Sequence, residues 1–234
     1  MRRRIRSWPT LALVLAVASL FAGTSGASAA IAPPWCGTPE RDAAENLPPA
    51  HSFPHIPYYA IGCTLEDIQS RSGGRMSLEV IGQSSTGRDM YGVVINSRET
   101  RAQRDSYDRL REALRNALDD PERAKELVAR RDVKVPIFVQ GGIHGNEYEG
   151  VDAAMRAIEL LATTPYGDDP EIDALLDHAV VVFNVIQNPD GRVAGTRANG
   201  NGFDLNRDYI TQSQPETVNS VQFFREWLPT EALD

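Results

Sequence analysis

The stretch Val135-Pro-Ile-Phe-Val-Gln140-Gly-Gly-Ile-His144-Gly-Asn-Glu147-Tyr-Glu-Gly150 holds a strand, a loop and the start of a helix in one short run. Val135 to Val139 is apolar and of strand length, and Gly141-Gly142 stops it. Beyond Gly150, the residues Val151, Ala154, Met155, Ile158 and Leu161 recur at helical spacing, which predicts an amphipathic helix from Val151 to Leu161. Between strand and helix sit His144 and Glu147, three residues apart. An imidazole and a carboxylate suit zinc together, and a short loop at a strand end can aim both at one point. An H-x-x-E pair alone is common, so its meaning depends on the rest of the chain.

Outward from this stretch, Met76 to Ile81 and Met90 to Ile95 read as the two strands of a β-hairpin turning through Gly82 to Asp89. Ala179 to Ile186 is an uninterrupted apolar run, the pattern of a strand buried on both faces, and Asn188-Pro-Asp-Gly191 reads as a turn after it. Thr64-Leu-Glu-Asp67 resembles a capping box opening a short helix to Ser70. The charged stretch Arg98 to Arg130 carries Tyr107, Leu110, Leu114 and Leu118 at helical spacing, with a restart at Asp120-Pro121. Asp169-Pro170 caps a helix through Asp177. Ser213-Gln-Pro215 opens a last helix expected to bury Val218, Val221, Phe224 and Trp227 or Leu228. Strands alternating with helices predict an α/β fold: a mixed, largely parallel twisted sheet with helices on both faces. Ligands in such sheets bind beyond the carboxyl ends of the strands, where the His144 and Asn188 loops both emerge.

The N-terminus has a different character. Arg2, Arg3, Arg4 and Arg6, the apolar run Leu11 to Ala22 and the small residues Ala27-Ser-Ala29 form a secretory signal peptide over residues 1–29. The apolar run is short for a bilayer span, so no stable membrane anchor is expected after cleavage, and the exported chain is secreted or held in the cell envelope. Removing four arginines and no acid takes the formal charge from -8 to -12. Nucleic acid is therefore a poor partner. Residues 30–74 form a proline-rich extension and a first helix, in which His51 and His55 are expected at the surface. In an exported chain, Cys36 and Cys63 are expected to form a disulfide, with two buried thiols as the alternative.

After the Asn188 turn comes Gly195-Thr-Arg197-Ala-Asn-Gly-Asn-Gly-Phe-Asp204-Leu-Asn206-Arg207-Asp208. Loops this rich in glycine and asparagine seldom build a core. Arg197 can polarise a carbonyl and Arg207 can fork onto a carboxylate beside Asn206; surface ion pairs are the plainer alternative. The ordered set Ile81-Gly-x-Ser84-x-x-Gly87-Arg88, Gly142-Ile-His144-Gly-Asn-Glu147, Asn188-Pro-Asp-Gly191, Arg197 and Asp204-Leu-Asn206-Arg207 resembles the zinc carboxypeptidases related to carboxypeptidases A and B, over roughly residues 75 to 228. That resemblance implies zinc as cofactor, with His144 and Glu147 as its first two ligands. It further implies that Arg197 polarises the scissile carbonyl, and that Asn206 and Arg207 hold the terminal carboxylate of a peptide or protein substrate.

The resemblance also implies a third ligand, a histidine on a later strand, followed by a catalytic glutamate. After Arg207 the chain has no histidine, and Glu216, Glu226 and Glu231 come too early for that glutamate. Residues 75–234 are thus expected to be an incomplete catalytic domain, truncated at the C-terminus without its general base. Such a chain would bind zinc weakly, turn over little by itself and expose an apolar sheet edge. Two other functions fit the same residues: a non-catalytic peptide-binding module, and a related zinc amidase acting on cell-wall peptides or N-acyl amino acids.

Overall fold

A computed structural model of the chain describes residues 36, 55–97, 101–129 and 134–234. The expected signal peptide, most of the expected proline-rich extension and His51 lie outside the described residues. One sheet has the strand order β1-β2-β4-β3-β5, built from β1 (Met76–Gln83), β2 (Asp89–Ile95), β3 (Val135–Gln140), β4 (Ala179–Asn184) and β5 (Glu231–Leu233). Only β2 runs against the others, so the sheet is mixed as the sequence pattern requires. The hairpin β1–β2 supplies the antiparallel edge. β3 pairs in parallel with β4 on one side and β5 on the other.

The helices are α1 (Tyr58–Arg71), α2 (Arg101–Arg115), α3 (Pro121–Val128), α4 (Tyr148–Thr163), α5 (Pro170–His178), α6 (Pro189–Ala194) and α7 (Pro215–Trp227). Every residue of β4 is buried, and its alternation sorts them into two cores. Val181 and Phe183 join Ile137 beneath α1, α4 and α5, where Ile61, Leu65, Met155, Ile158 and Ile172 close the larger core. Val180 and Val182 face the other way, with Phe138, against Phe223 of α7. All five inward positions expected of α4 are buried. Cys36 and Cys63 are joined in a disulfide that ties the N-terminal segment to α1.

Several local expectations are corrected. α1 starts after Pro57, well before Thr64, because Ala60 and Ile61 extend its buried face in the N-terminal direction. α2 ends at Arg115, leaving Leu118 99% exposed. Asn188 caps a short helix where a turn was expected. α7 buries Glu216, Thr217, Ser220 and Phe223, whereas Phe224 is 39% exposed and Val218 and Val221 are half-buried. His55 is buried: its Nδ1 lies 2.9 Å from Asp152 Oδ2 and its ring stacks on Tyr148. Asp152 in turn accepts from Arg192, a guanidinium 1% exposed that also donates to the carbonyls of Ile56 and Tyr148. This network packs the segment before α1 onto the start of α4. Among the described residues β1 and β5 are the two outer strands of the sheet, and Leu233 on β5 is exposed. Among the described residues, no helix is long and apolar enough to cross a membrane.

Candidate metal centre

Past the ends of β3 and β4 the two chains stay paired. Gly141 N donates to Asn184 O (3.0 Å), Gln187 N to Gly141 O (2.9 Å) and Asn188 N to Gly142 O (3.0 Å). Gly142 has φ +66°, a conformation that turns the chain sharply and that glycine adopts without steric cost. Gly145 packs so closely on α6 that a Cβ there would lie 1.9 Å from the Gly191 carbonyl carbon. The loop is thus wedged between β4 and α6 before α4 begins after Glu147.

On this backbone His144 is 6% exposed, and its two ring nitrogens face different partners. Nε2 lies 3.2 Å from Asp204 Oδ1, and Nδ1 lies 2.9 Å from Glu147 Oε1. Asp204 and Glu147 can only accept, so a proton on either ring nitrogen finds a carboxylate partner. With the proton on Nε2, Nδ1 and Oε1 present two electron-pair donors to one point, where a cation would sit between them. The nearest cation is Arg197, whose Nη1 is 3.3 Å from His144 Nδ1 and whose Nε donates to Asp204 Oδ2 at 2.9 Å. Burial would raise the Asp204 pKa. The Arg197 hydrogen bond, the Asn206 amide and the charge of Arg197 outweigh it and hold the carboxylate below its ordinary value. The donor set fits zinc in kind: histidine and glutamate, with a carboxylate behind the histidine to orient it. In number it falls short, since no group of three or more His, Cys, Asp or Glu that could hold a metal occurs among the described residues.

Asn206 and Arg207 lie on the 3-10 turn Leu205–Arg207, and both are exposed. Asp204 caps that turn by accepting from Asn206 N at 3.0 Å, so one carboxylate orients His144, anchors Arg197 and starts the turn carrying Asn206 and Arg207. The turn is held from behind by Asp208, which accepts from the Ser213 and Gln214 amides and from the Thr211 and Ser213 hydroxyls. Asp190 gathers the β1–β2 turn, accepting from Ser84, Ser85, Thr86 and Arg88. Glu216, fully buried, accepts from Ser85 N (2.8 Å) and Asn199 Nδ2 (3.1 Å), a loop-fastening role. The structure therefore brings His144, Glu147 and Arg197 into one cluster, joins Asn206 and Arg207 to it through Asp204, and leaves the Cys36–Cys63 bridge at α1. Sequence reasoning assigned no role to Asp204, Asp190, Asp208 or Glu216. Asp204 alone had a signal, its place at the head of the Asp-Leu-Asn-Arg motif.

A family model described as zinc carboxypeptidase matches residues 62–226. The chain belongs to that family. Among curated relatives, carboxypeptidase D of Mus musculus is 35% identical over 104 residues, covering 37% of this chain and 7% of that protein. Carboxypeptidase M of Mus musculus is 32% identical over 119 residues, covering 43% of this chain and 26% of that protein. The chain thus spans no more than about a quarter of these relatives' length. Among solved structures, a metallo-carboxypeptidase from Pseudomonas aeruginosa aligns with a TM-score of 0.54 at 22% identity, over 76% of this chain and 39% of that one. That likeness shows the fold.

Proposed function

We propose that this chain carries the metal-binding and substrate-anchoring part of an exported, zinc-dependent carboxypeptidase. The observation that carries this reading is the convergence of His144 Nδ1 and Glu147 Oε1 at 2.9 Å, with Asp204 behind the imidazole and Arg197 beside it. His144 and Glu147 would hold zinc as two of its ligands. When bound, zinc supplies Lewis acidity and lowers the pKa of a water that hydrolyses the C-terminal peptide bond. The chain's own residues do the rest. Arg197 offers N–H groups to the oxygen on which charge develops. Asn206 and Arg207, exposed on their turn, take the substrate's terminal carboxylate, with the guanidinium making paired hydrogen bonds to it. Asp204, bonded to Nε2, would orient the imidazole so that Nδ1 is the nitrogen available to zinc. Residues 1–29 act as the export signal, and residues 1–234 alone are weakly active.

The two-donor set also supports a second reading, capture of peptide C-termini without turnover. Calorimetric titration of zinc into the chain, in parallel with His144→Ala, separates the two. Weak binding that the substitution abolishes is expected. A single tightly held zinc would overturn the weak two-ligand site, and no binding at all would leave peptide capture.

A further inference from the structure

Asn188 is completely buried at the carboxyl end of the β4 chain, and both ends of its side-chain amide are used. Oδ1 accepts from Gly191 N at 2.8 Å and thereby caps α6. Nδ2 points elsewhere, donating to Ile143 O at 3.3 Å and to Arg197 O at 3.2 Å. The first of these carbonyls belongs to the residue immediately before His144, and the second to Arg197 itself. One primary amide therefore ties together the loop that presents His144 and the loop that presents Arg197. The side chains close the same circuit from the other side, through His144 Nε2, Asp204 and Arg197 Nε.

Capping alone does not ask for an amide. This chain caps α3, α5 and the turn at Leu205 with Asp120, Asp169 and Asp204, whose side chains only accept. At residue 188 an aspartate would cap equally well but would set an oxygen against two carbonyl oxygens. We propose that Asn188 is a positioning residue: its Nδ2 holds the metal loop and the Arg197 loop in fixed relation, so that His144 and Arg197 reach the site together. The contact between Gly145 and Gly191 completes the arrangement by pressing the metal loop against the helix that Asn188 caps. The function assigned to this residue rests on the proposed metal site, whereas the coupling of the two loops does not.

Hydrogen exchange on the metal-free chain tests the coupling directly. Asn188→Asp keeps the acceptor for Gly191 N and removes the two donations. The Glu147 and Asn199 amides, bonded to His144 O and Phe203 O, should exchange about tenfold faster, as loss of two buried hydrogen bonds implies. The Gly191 amide should keep its protection. If either loop keeps its exchange rate, or if Gly191 loosens as much as they do, the proposal fails. Asn188→Ser, neutral and also a good cap, serves if the aspartate variant does not fold, with the same expectation. The serine variant adds no charge, so it is the one to titrate with zinc: affinity should fall about tenfold, in proportion to the lost donations. Unchanged zinc affinity alongside loosened loops would overturn the positioning role. Absence of zinc binding by the unsubstituted chain would strike at the metal site instead, with the exchange rates still deciding whether Asn188 couples the loops.

Discussion

The two faces of the sheet are built on different terms. Beneath α1, α4 and α5 the core is apolar, and its contacts are non-directional. Beneath α7 the helix buries Glu216, Thr217 and Ser220 with a single phenylalanine, Phe223. There Asn184 Nδ2 donates to Ser220 Oγ at 2.9 Å, and Glu216 reaches out to Ser85 and Asn199. The apolar side chains of that helix, Val221 and Phe224, instead line an open cleft of about 320 Å³ with Phe138, Tyr209 and Leu233. Buried hydrogen bonds add about 1 kcal/mol each, much less than a large apolar side chain, but they fix direction. The first face therefore supplies most of the stability. The second aims the loops that carry Arg197, Asn206 and Arg207.

The largest test of that contrast is Phe183→Ala, at the centre of the apolar core. Phe183 is 2% exposed and sits on a strand buried on both faces, so the cavity cannot collapse from either side. Urea unfolding should show a loss of about 3–5 kcal/mol. A loss below about 2 kcal/mol would mean that the core is not the main source of stability.

The polar side should respond to acid instead. Burial raises the pKa of Asp190, but hydrogen bonds from Thr86, Ser84, Arg88 and Ser85 outweigh it and leave the carboxyl below its ordinary value of 3.8. Asp208 is likewise depressed, its burial outweighed by Ser213, Thr211 and the Ser213 and Gln214 amides. A depressed folded pKa stabilises fully above the unfolded value and loses that contribution as pH falls through the folded value. The melting temperature should therefore hold steady down to about pH 5 and drop below about pH 4. Asp190→Asn should cost about 2 kcal/mol at neutral pH, since its amide nitrogen would then face either the Thr86 amide or the Arg88 guanidinium, which can only donate. It should also shallow the acid drop. An unchanged acid profile in that variant would show that Asp190 is not one of the groups responsible.

This division explains what the sequence could disclose. Apolar periodicity finds elements that bury apolar residues, so β3, β4, the hairpin and the inner face of α4 were all legible. Short-range spacing also placed His144 with Glu147, because a three-residue separation on a tight loop brings them together. The buried face of α7 was not legible, since Glu216 and Ser220 look like solvent-facing residues until partners as distant as Ser85 are known. His55 was misplaced for the same reason: its partner Asp152 lies 97 residues away. The Asp-Leu-Asn-Arg motif marks Asp204, but its role depends on an imidazole 60 residues upstream. Polar burial is specified by the tertiary fold, and that is where sequence periodicity has no purchase.

The smallest effect is expected where the α7 face is apolar but open. Phe224 makes an edge contact with Phe138, ring centroids 5.1 Å apart, yet it remains 39% exposed beside Leu233 and Val221. Phe224→Ser loses that ring contact and only part of a hydrophobic side chain, so it should destabilise by about 1 kcal/mol, a fraction of the Phe183 value. Its clearer consequence should be in association. Among the described residues β5 is an outer strand of the sheet, and an apolar cleft beside an outer strand favours chain-to-chain contact. Light scattering against concentration should show less self-association for the serine variant at nearly unchanged stability. If Phe224→Ser instead costs as much as Phe183→Ala, the α7 face contributes as much apolar stabilisation as the opposite one, and the contrast between the two faces is lost.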